Sequence, residues 1–220
     1  MAEIAPGYIS KQMSTPMTGS FMHLHIGINA SGLPKDLESH YTVINQWEKI
    51  DAPQNHVIIS IPSVLDPSLA PVGCHVIHAY AAANEPYEPW ENLSRSSDRE
   101  RYEIFKADRS EFLWKAIERS IPDVRDRVLV SANFTGSPKT HERFNRRFKG
   151  TFGPALRAGE QKFPYPKTPI PNLFCCGDSV FPGIGVPAVA VSGANAASST
   201  VSVFKQLDML QKLYEIQEKN

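Results

Sequence analysis

The sequence predicts an α+β fold: an antiparallel or mixed sheet with packed helices, followed by a separate strand–turn–helix segment. Short runs of alternating apolar residues with tight turns dominate the first part of the chain. A helical period begins at Asp98, and a glycine-rich turn at residues 183–185 precedes a run of small residues. With 220 residues, the chain can form one domain of ordinary size or two small ones.

Alternation of side chains marks the first strand, at residues 21–28. Four apolar side chains share one face and four mixed ones the other: Met22, Leu24, Ile26 and Ile28 against Phe21, His23, His25 and Gly27. Further strands are predicted at residues 40–47, 57–61, 74–81 and 128–132. The near-continuous apolar run at 57–61 predicts burial on both faces of that strand.

Helices are predicted around this sheet. Apolar residues at helical spacing predict a helix that starts near Asp98, docks on the sheet and closes before Pro122. Ser137 and Pro138 are typical of a helix N-cap and first helical position. Residues 1–19 are short of core residues and are predicted to form a loop that leads into the first strand.

Charge and cysteine content bear on partners and compartment. The 23 Lys and Arg residues balance the 23 Asp and Glu residues, so net charge gives no reason to expect nucleic acid. Cys74, Cys175 and Cys176 form no CxxC pattern and suit a reducing compartment and small core positions. No run approaches the roughly 18 apolar residues of a membrane span, and no secretory or transit peptide is visible.

Residues 172–197 carry the pattern with the clearest chemistry. A short buried strand is predicted at 173–176 and a long helix at 187–213, with a glycine turn between them. Glycines permit positive φ and close approach of a ligand, Asp178 can accept hydrogen bonds from sugar-alcohol hydroxyls, and the helix N-terminus favours an electron-rich ligand atom. The predicted ligand contacts are Gly177, Asp178, Gly183, Gly185, Val186, Pro187 and Ala188.

The same turn matches the dinucleotide pattern GxGxxA at residues 183–188. A complete dinucleotide fingerprint needs a second strand after the helix, with an acidic residue at the end of that strand. Asp208 has the right spacing, but it lies inside the helical pattern. The sequence therefore does not favour a dinucleotide fingerprint at this turn.

The stretch GDSVFPGIGVPAVAVSG resembles the C-terminal flavin-binding motif of the phytoene desaturase–carotenoid isomerase superfamily of FAD enzymes. Other segments, in the same order from about residue 20 to 204, are similar to the plant-type carotenoid (prolycopene) isomerase group. They are SFMHLHIGI, HYTVINQWEKIDAPQN, IISIPSVLDPSLAPVGCHVIHAY, PYEPWENL, LWKAIERSIPDVRDRV, GSPKTHERFNRRFKGTFGPA and FPYPKTPIPNLFCCGDS.

The resemblance implies a domain organisation and a cofactor. Residues 1–19 would lead in, 20–150 would bind a polyene, and 151–220 would be the C-terminal portion of an FAD-binding, Rossmann-like domain. Asp178 would face the FAD ribityl chain, and residues 183–188 would lie under the isoalloxazine and near the pyrophosphate. The GxGxxG unit that holds the ADP half in family members is missing here, so the start resembles a cut inside a longer protein. We therefore expect weak or no FAD binding by this chain alone.

The resemblance also implies a function, with alternatives that stay open. One hypothesis is the C-terminal portion of an FAD-dependent carotenoid cis–trans isomerase, acting on a carotenoid through reduced flavin in a membrane-associated plastid setting. A complementary N-terminal FAD-domain chain would then be a partner. A second is a truncated, non-catalytic relative that serves as an accessory subunit in a pigment–protein assembly. A third is a flavin-dependent polyene hydratase, saturase or desaturase.

Other residues give no catalytic assignment. Histidines on two strands, at 23 and 25 and at 75 and 78, lack patterned acidic or cysteine partners, so no metal site is predicted. Basic residues between 141 and 149 form either a solvated helix face or a patch for anionic lipid headgroups. Trp47, Tyr87, Trp90 and Phe152 line a polyene slot or fill the core. Glu85 and Glu88 have no spacing that marks an acid–base pair, and the catalytic residues stay unknown.

Overall fold

The computed structural model of the chain describes residues 5–81, 83–159 and 162–218. It contains two compact units, one of Thr18–Thr151 (the central unit) and one of Met1–Met17 with Phe152–Asn220 (the terminal unit). In chain order, the described helices and strands are α1 Pro6–Ser14, β1 His23–Asn29, β2 His40–Ile44, β3 His56–Ser60, β4 Cys74–Ala81, α2 Arg99–Glu118, α3 Val124–Arg127, β5 Val128–Gly136, α4 Pro138–Asn145, α5 Val186–Ser198 and α6 Val203–Gln217.

The central unit is built on a five-stranded sheet within the described residues, in the order β2–β3–β4–β1–β5. Every paired neighbour is antiparallel, which settles the choice between an antiparallel and a mixed sheet. Residues 45–55 and 61–73 join the neighbouring pairs β2–β3 and β3–β4 directly, whereas β1 pairs with β4 and β5 from distant parts of the chain. The sheet and its packed helices confirm the predicted α+β class.

One face of the sheet holds the core of the central unit. The apolar face of β1 is buried as its alternation predicts, and α2 packs against it through Leu113, Ala116 and Ile117. Asp98 caps α2 by accepting a hydrogen bond from the Arg101 backbone N–H at 3.2 Å. Burial of Leu113 and Ile117 contributes about 1.5–3 kcal/mol each, so this face of the sheet packs on the helix and the opposite face points away from it.

Two predictions about the central unit are corrected. The strand predicted at 57–61 to be buried on both faces alternates instead, with Val57 and Ile59 buried and their neighbours half-buried. The reason is that α2 covers one face of β3 only. The strand predicted at 128–132 extends to Gly136, because it continues to pair with β1 through residues 133–136.

The terminal unit differs more from its prediction. Residues predicted as a lead-in loop form α1, with Pro6 at the first helical turn, while residues 1–4 lie outside the described residues. The buried strand predicted at 173–176 is wrong: Leu173 is 40% exposed, and Phe174 makes only an isolated antiparallel bridge to Lys167. A strand needs a hydrogen-bonded neighbour along its length, and the unit supplies one bridge.

The helix predicted at 187–213 is two helices. Hydroxyl side chains interrupt it: Ser199 Oγ donates to the Asn195 carbonyl at 2.7 Å and Thr200 Oγ1 to the Ala197 carbonyl at 2.7 Å. Such local bonds compete with helix continuation. Ser202 then caps α6 by accepting from the Lys205 backbone N–H at 3.4 Å. None of the residues of α6 is buried.

No helix among the described residues is both long enough and apolar enough to cross a membrane.

The domain boundaries predicted from the resemblance, at residues 19 and 150, stay predictions.

Candidate functional site

The glycine turn before α5 is the first candidate site, and the terminal unit contains all of it. Gly177, Gly183 and Gly185 have φ values of 113°, 118° and 107°, a region that side chains other than glycine adopt at a cost. Gly185 is the N-cap of α5, and Val186 and Pro187 begin the helix. The sequence interpretation of this turn as a glycine-dependent helix entry agrees with these backbone angles.

Space beside two of these glycines is open. Apart from the glycine itself and its two chain neighbours, no described residue has an atom within 4 Å of a Cβ built on Gly177 or on Gly185. Gly183 is different, because a Cβ there would stand 2.7 Å from the Phe163 ring. Gly183 therefore serves internal packing, whereas Gly177 and Gly185 leave backbone exposed that a ligand can approach closely.

A buried serine positions the turn against the helix. The Gly177 backbone N–H donates to Ser192 Oγ at 3.1 Å, and Ser192 is fully buried in α5. This bond fixes the distance between the start of the turn and the helix nearly two turns from its N-terminus. Sequence reasoning counted Ser192 only among the small residues of the helix, and its place facing Gly177 depends on the fold of the turn.

Asp178 lies half-buried beside this backbone. Its carboxylate accepts a hydrogen bond from Ser179 Oγ at 3.3 Å. The first-turn N–H groups of α5 lack intrahelical acceptors, and the helix macrodipole adds a partial positive charge at Val186 and Ala188. The turn thus contains a half-buried carboxylate at Asp178 and, eight residues on, the electropositive N-terminus of α5.

The second candidate site is the face of the central sheet opposite the core. There, His23 and His25 of β1 stand on the same side, and His78 of β4 is the cross-strand partner of His25. The His25 and His78 rings stack with centroids 4.1 Å apart, and His23 Nδ1 lies 2.7 Å from His78 Nε2. His141 of α4 adds a fourth ring, 4.8 Å from that of His23. We call these four residues the histidine cluster.

Burial changes the acid–base behaviour of this cluster. Desolvation, reinforced by the neighbouring imidazole of His141, lowers the pKa of His23 from 6.5 to about 3. Desolvation and the His25 ring lower the pKa of His78 to about 4. Both rings are therefore neutral at physiological pH. His23 Nε2 and His141 Nε2 are buried without a hydrogen-bond partner in the described part of the chain.

Sequence reasoning missed this cluster and predicted no metal site. The pairing of His23 with His25 was visible from alternation, but the approach of His78 depends on the register of two antiparallel strands. His75, which the sequence grouped with His78, points elsewhere and bonds Ser63 Oγ at 2.9 Å. The sheet thus separates two neighbouring histidines of one strand and joins residues far apart in sequence.

The remaining candidates have structural roles. Glu85 is fully buried and accepts from Trp90 Nε1 at 2.9 Å and from Arg109 Nη2 at 2.7 Å, so it anchors the fold. Trp90 and Tyr87 are buried in the central unit, while Trp47 is exposed. Cys74, Cys175 and Cys176 are free and none of them is buried, so the prediction that they take core positions is wrong.

Comparison with known proteins identifies relatives of the chain. No family model matches the chain. It is 39% identical over 182 residues to prolycopene isomerase 2, chloroplastic, of an Oncidium hybrid cultivar, a match that covers 81% of this chain and 30% of the relative. It is 37% identical over 183 residues to the chloroplastic prolycopene isomerase of Arabidopsis thaliana, covering 81% of this chain and 29% of that one.

A more distant match points to a wider class. The chain is 31% identical over 147 residues to mouse pyridine nucleotide-disulfide oxidoreductase domain-containing protein 2, covering 63% of this chain and 23% of that protein. The chain spans less than a third of the length of these curated relatives. The chain is a relative of the plant prolycopene isomerases, which confirms the resemblance seen in its motifs.

Proposed function

We propose that this chain is the portion of an FAD-dependent carotenoid cis–trans isomerase that contacts the flavin end of the cofactor and supplies a polyene-binding domain. The single observation that carries the proposal is the open glycine turn at the N-terminus of α5, beside Asp178, in a relative of prolycopene isomerases. Bound flavin would supply the redox chemistry that weakens a double bond of the polyene. By the same likeness, we propose a plastid location.

The residues of the turn fit the flavin end of FAD and not the whole cofactor. Gly177 and Gly185 leave open space beside the backbone, Asp178 would accept hydrogen bonds from the ribityl hydroxyls, and the first turn of α5 would offer its N–H groups to an electron-rich atom of the flavin. Val186, Pro187 and Ala188 form that first turn. The 220 residues contain no second glycine-rich unit for the ADP half, so we propose weak binding of FAD by this chain alone.

The terminal unit itself supports a requirement for additional protein. Apolar side chains of α6 are exposed, Phe204 and Leu207 among them. Within the described residues, 173–176 form no strand and make one isolated bridge, from Phe174 to Lys167. Both features are explained if a complementary FAD-domain segment pairs with residues 173–176 and covers the helix. The same features favour the second candidate function, an accessory subunit in a pigment–protein assembly that uses these surfaces for docking without catalysis.

A domain exchange separates these functions. The chain would replace the matching 183-residue region of the Arabidopsis prolycopene isomerase, and the chimera would be assayed for bound flavin and for isomerisation of prolycopene. We expect a folded chimera that retains flavin and activity. Asp178→Ala should lower flavin affinity by about tenfold or more, since a charge-assisted hydrogen bond contributes about 1.5–3 kcal/mol. Asp36→Ala, which removes an exposed carboxylate of the central unit, is the matched control.

Each result of the exchange has a distinct meaning. A folded chimera without flavin contradicts the flavin contact. A chimera that retains flavin but does not isomerise prolycopene contradicts the isomerase and favours the accessory subunit or another polyene reaction. Hydrated, saturated or desaturated products would identify that other reaction.

Peripheral membrane contact is part of the same proposal. Phe144 and Phe148 are exposed beside the exposed Arg143 and Arg146 of the central unit, which suits insertion of aromatic rings among anionic headgroups. The chain should co-sediment with vesicles that contain anionic lipid and lose most of that binding in Phe144→Ser. Equal sedimentation of the variant, or equal binding to neutral vesicles, would contradict this contact.

A further inference from the structure

Three histidines of the central sheet place their ring nitrogens close together, which their spacing in the sequence does not reveal. His23 and His25 are two residues apart on β1, so both rings project from one face. His78 lies opposite His25 on β4 and reaches both rings. One ring nitrogen from each of the three residues can be chosen so that all lie within 4.8 Å of one another.

We propose that His23, His25 and His78 form a binding site for a divalent transition metal ion, zinc in the first instance, with a fourth coordination position open to an exogenous ligand. The site lies wholly within the central unit and is independent of the flavin proposal. Three imidazoles with an open fourth position are the ligand set of catalytic zinc sites.

The donor chemistry selects the metal. All three ligands are imidazole nitrogens, which suit Zn²⁺, Cu²⁺ and Ni²⁺ and disfavour the oxygen-seeking Mg²⁺ and Ca²⁺.

The cluster is incompletely satisfied by the protein. His23 Nδ1 and His78 Nε2 share one hydrogen bond at 2.7 Å, while His23 Nε2 is buried with no partner in the described part of the chain. Two nitrogens on a tetrahedral zinc stand about 3.3 Å apart, given Zn–N bonds of about 2.0–2.1 Å. Turning the two nearly parallel rings so that both lone pairs point at one ion, with the nitrogens about 0.6 Å farther apart, would convert the hydrogen bond into a pair of ligands.

The open position faces a cleft. A cavity of about 390 Å³ is lined by His25 and His78 together with Gly27, Val76, Ala132 and Phe134. Gly27 continues the His23–His25 face of β1, and its lack of a side chain keeps the cleft open next to the rings. Water or a small anionic ligand can therefore reach the fourth coordination position. His141 lies beside His23 and is not among the three ligands.

The test is metal binding by the full chain, purified without a polyhistidine tag. Apo protein would be titrated with ZnCl₂ by calorimetry, and with CoCl₂ for the visible absorption of nitrogen-ligated cobalt. We expect one ion per chain and no competition from Mg²⁺. His25→Ala, at an exposed position, and His78→Gln should each weaken Zn²⁺ binding at least as much as the roughly 10- to 100-fold typical for loss of a supporting residue.

Matched controls use histidines outside the cluster. His40→Ala and His56→Ala, on β2 and β3, should leave Zn²⁺ affinity unchanged. Far-UV circular dichroism would check folding, and His25→Ala decides the test if His78→Gln does not fold. Absence of Zn²⁺ binding by the wild-type chain would overturn the site. So would equal affinity in His25→Ala, or equal weakening in the control variants.

Discussion

Replacing Glu85 by alanine should destabilise the central unit more than any change at a nearby surface carboxylate. The Glu85 carboxylate is fully buried and accepts hydrogen bonds from Trp90 Nε1 at 2.9 Å and from Arg109 Nε and Nη2 at 2.9 and 2.7 Å. Breaking a buried ion pair by removing one partner costs about 3–5 kcal/mol. Because the Arg109 side chain is 21% exposed, water can partly solvate it, and we expect about 3 kcal/mol.

This magnitude converts to a melting temperature. For a unit of this size, 1 kcal/mol shifts Tm by about 3–4 °C, so Glu85→Ala should lower Tm by roughly 10 °C. The three tryptophans, Trp47, Trp90 and Trp114, lie in the central unit, so intrinsic fluorescence reports its unfolding.

The matched control is Glu88→Ala, three positions away and exposed, which should change stability by no more than about 0.5 kcal/mol. Equal unfolding midpoints for Glu85→Ala and Glu88→Ala would refute the structural role of the buried carboxylate.

Two further predictions concern backbone strain and pH. Gly183→Ala should destabilise the terminal unit by about 1–3 kcal/mol, because φ is 118° and the new Cβ meets the Phe163 ring at 2.7 Å. Thermal denaturation followed by far-UV circular dichroism measures this loss against the control Gly193→Ala, which adds a methyl group in open space. Equal unfolding midpoints for the two variants would contradict the prediction. The pKa values of His23 and His78 are lowered to about 3 and 4, so below pH 6.5 the unfolded chain binds more protons than the folded chain. The free energy of unfolding should therefore fall as the pH drops below 6.5 and level off only below about pH 3–4. Between about pH 7 and 5 the loss should be about 1–2 kcal/mol per ring, allowing for solvent screening, and urea titrations that show no loss would contradict it.

Much of the central sheet was predictable because its signals are local. The strand Cys74–Ala81 agrees with its predicted limits, and the buried face of His23–Asn29 follows from alternation alone. The helix start at Ser137 and Pro138 was also predictable, because the capping interactions span only three residues. The Ser137 backbone N–H donates to Thr140 Oγ1 at 3.1 Å. In each case the physical cause acts within one element.

The errors arise where the cause is not local. Residues 173–176 are apolar enough for a strand, but a strand exists only with hydrogen-bonded neighbours, which sequence composition does not reveal. The break between α5 and α6 depends on Ser199 and Thr200 turning their hydroxyls back to the helix, a choice that small-residue runs leave open.

The candidate sites also contain features that the local sequence predicts and features that depend on the fold. The glycines at 177, 183 and 185 were identified from sequence because positive φ selects glycine, and their φ values agree. What each glycine packs against was not predictable, because only the fold shows that Gly183 lies against the Phe163 ring. The approach of His78 to His25 requires the register of two strands, which no spacing rule supplies.

The most direct test of the flavin proposal is a titration of the isotope-labelled full chain with FAD, followed residue by residue by NMR. Weak binding should produce progressive shifts confined to residues 172–197, largest at the amides of Gly177, Asp178 and Gly185, and Gly185→Val should abolish them while Gly193→Ala does not. Shifts that are absent, or that are centred outside this segment, would contradict the flavin contact. Flavin that co-purifies in equimolar amount with the chain would contradict the proposal that it contributes only one part of the site.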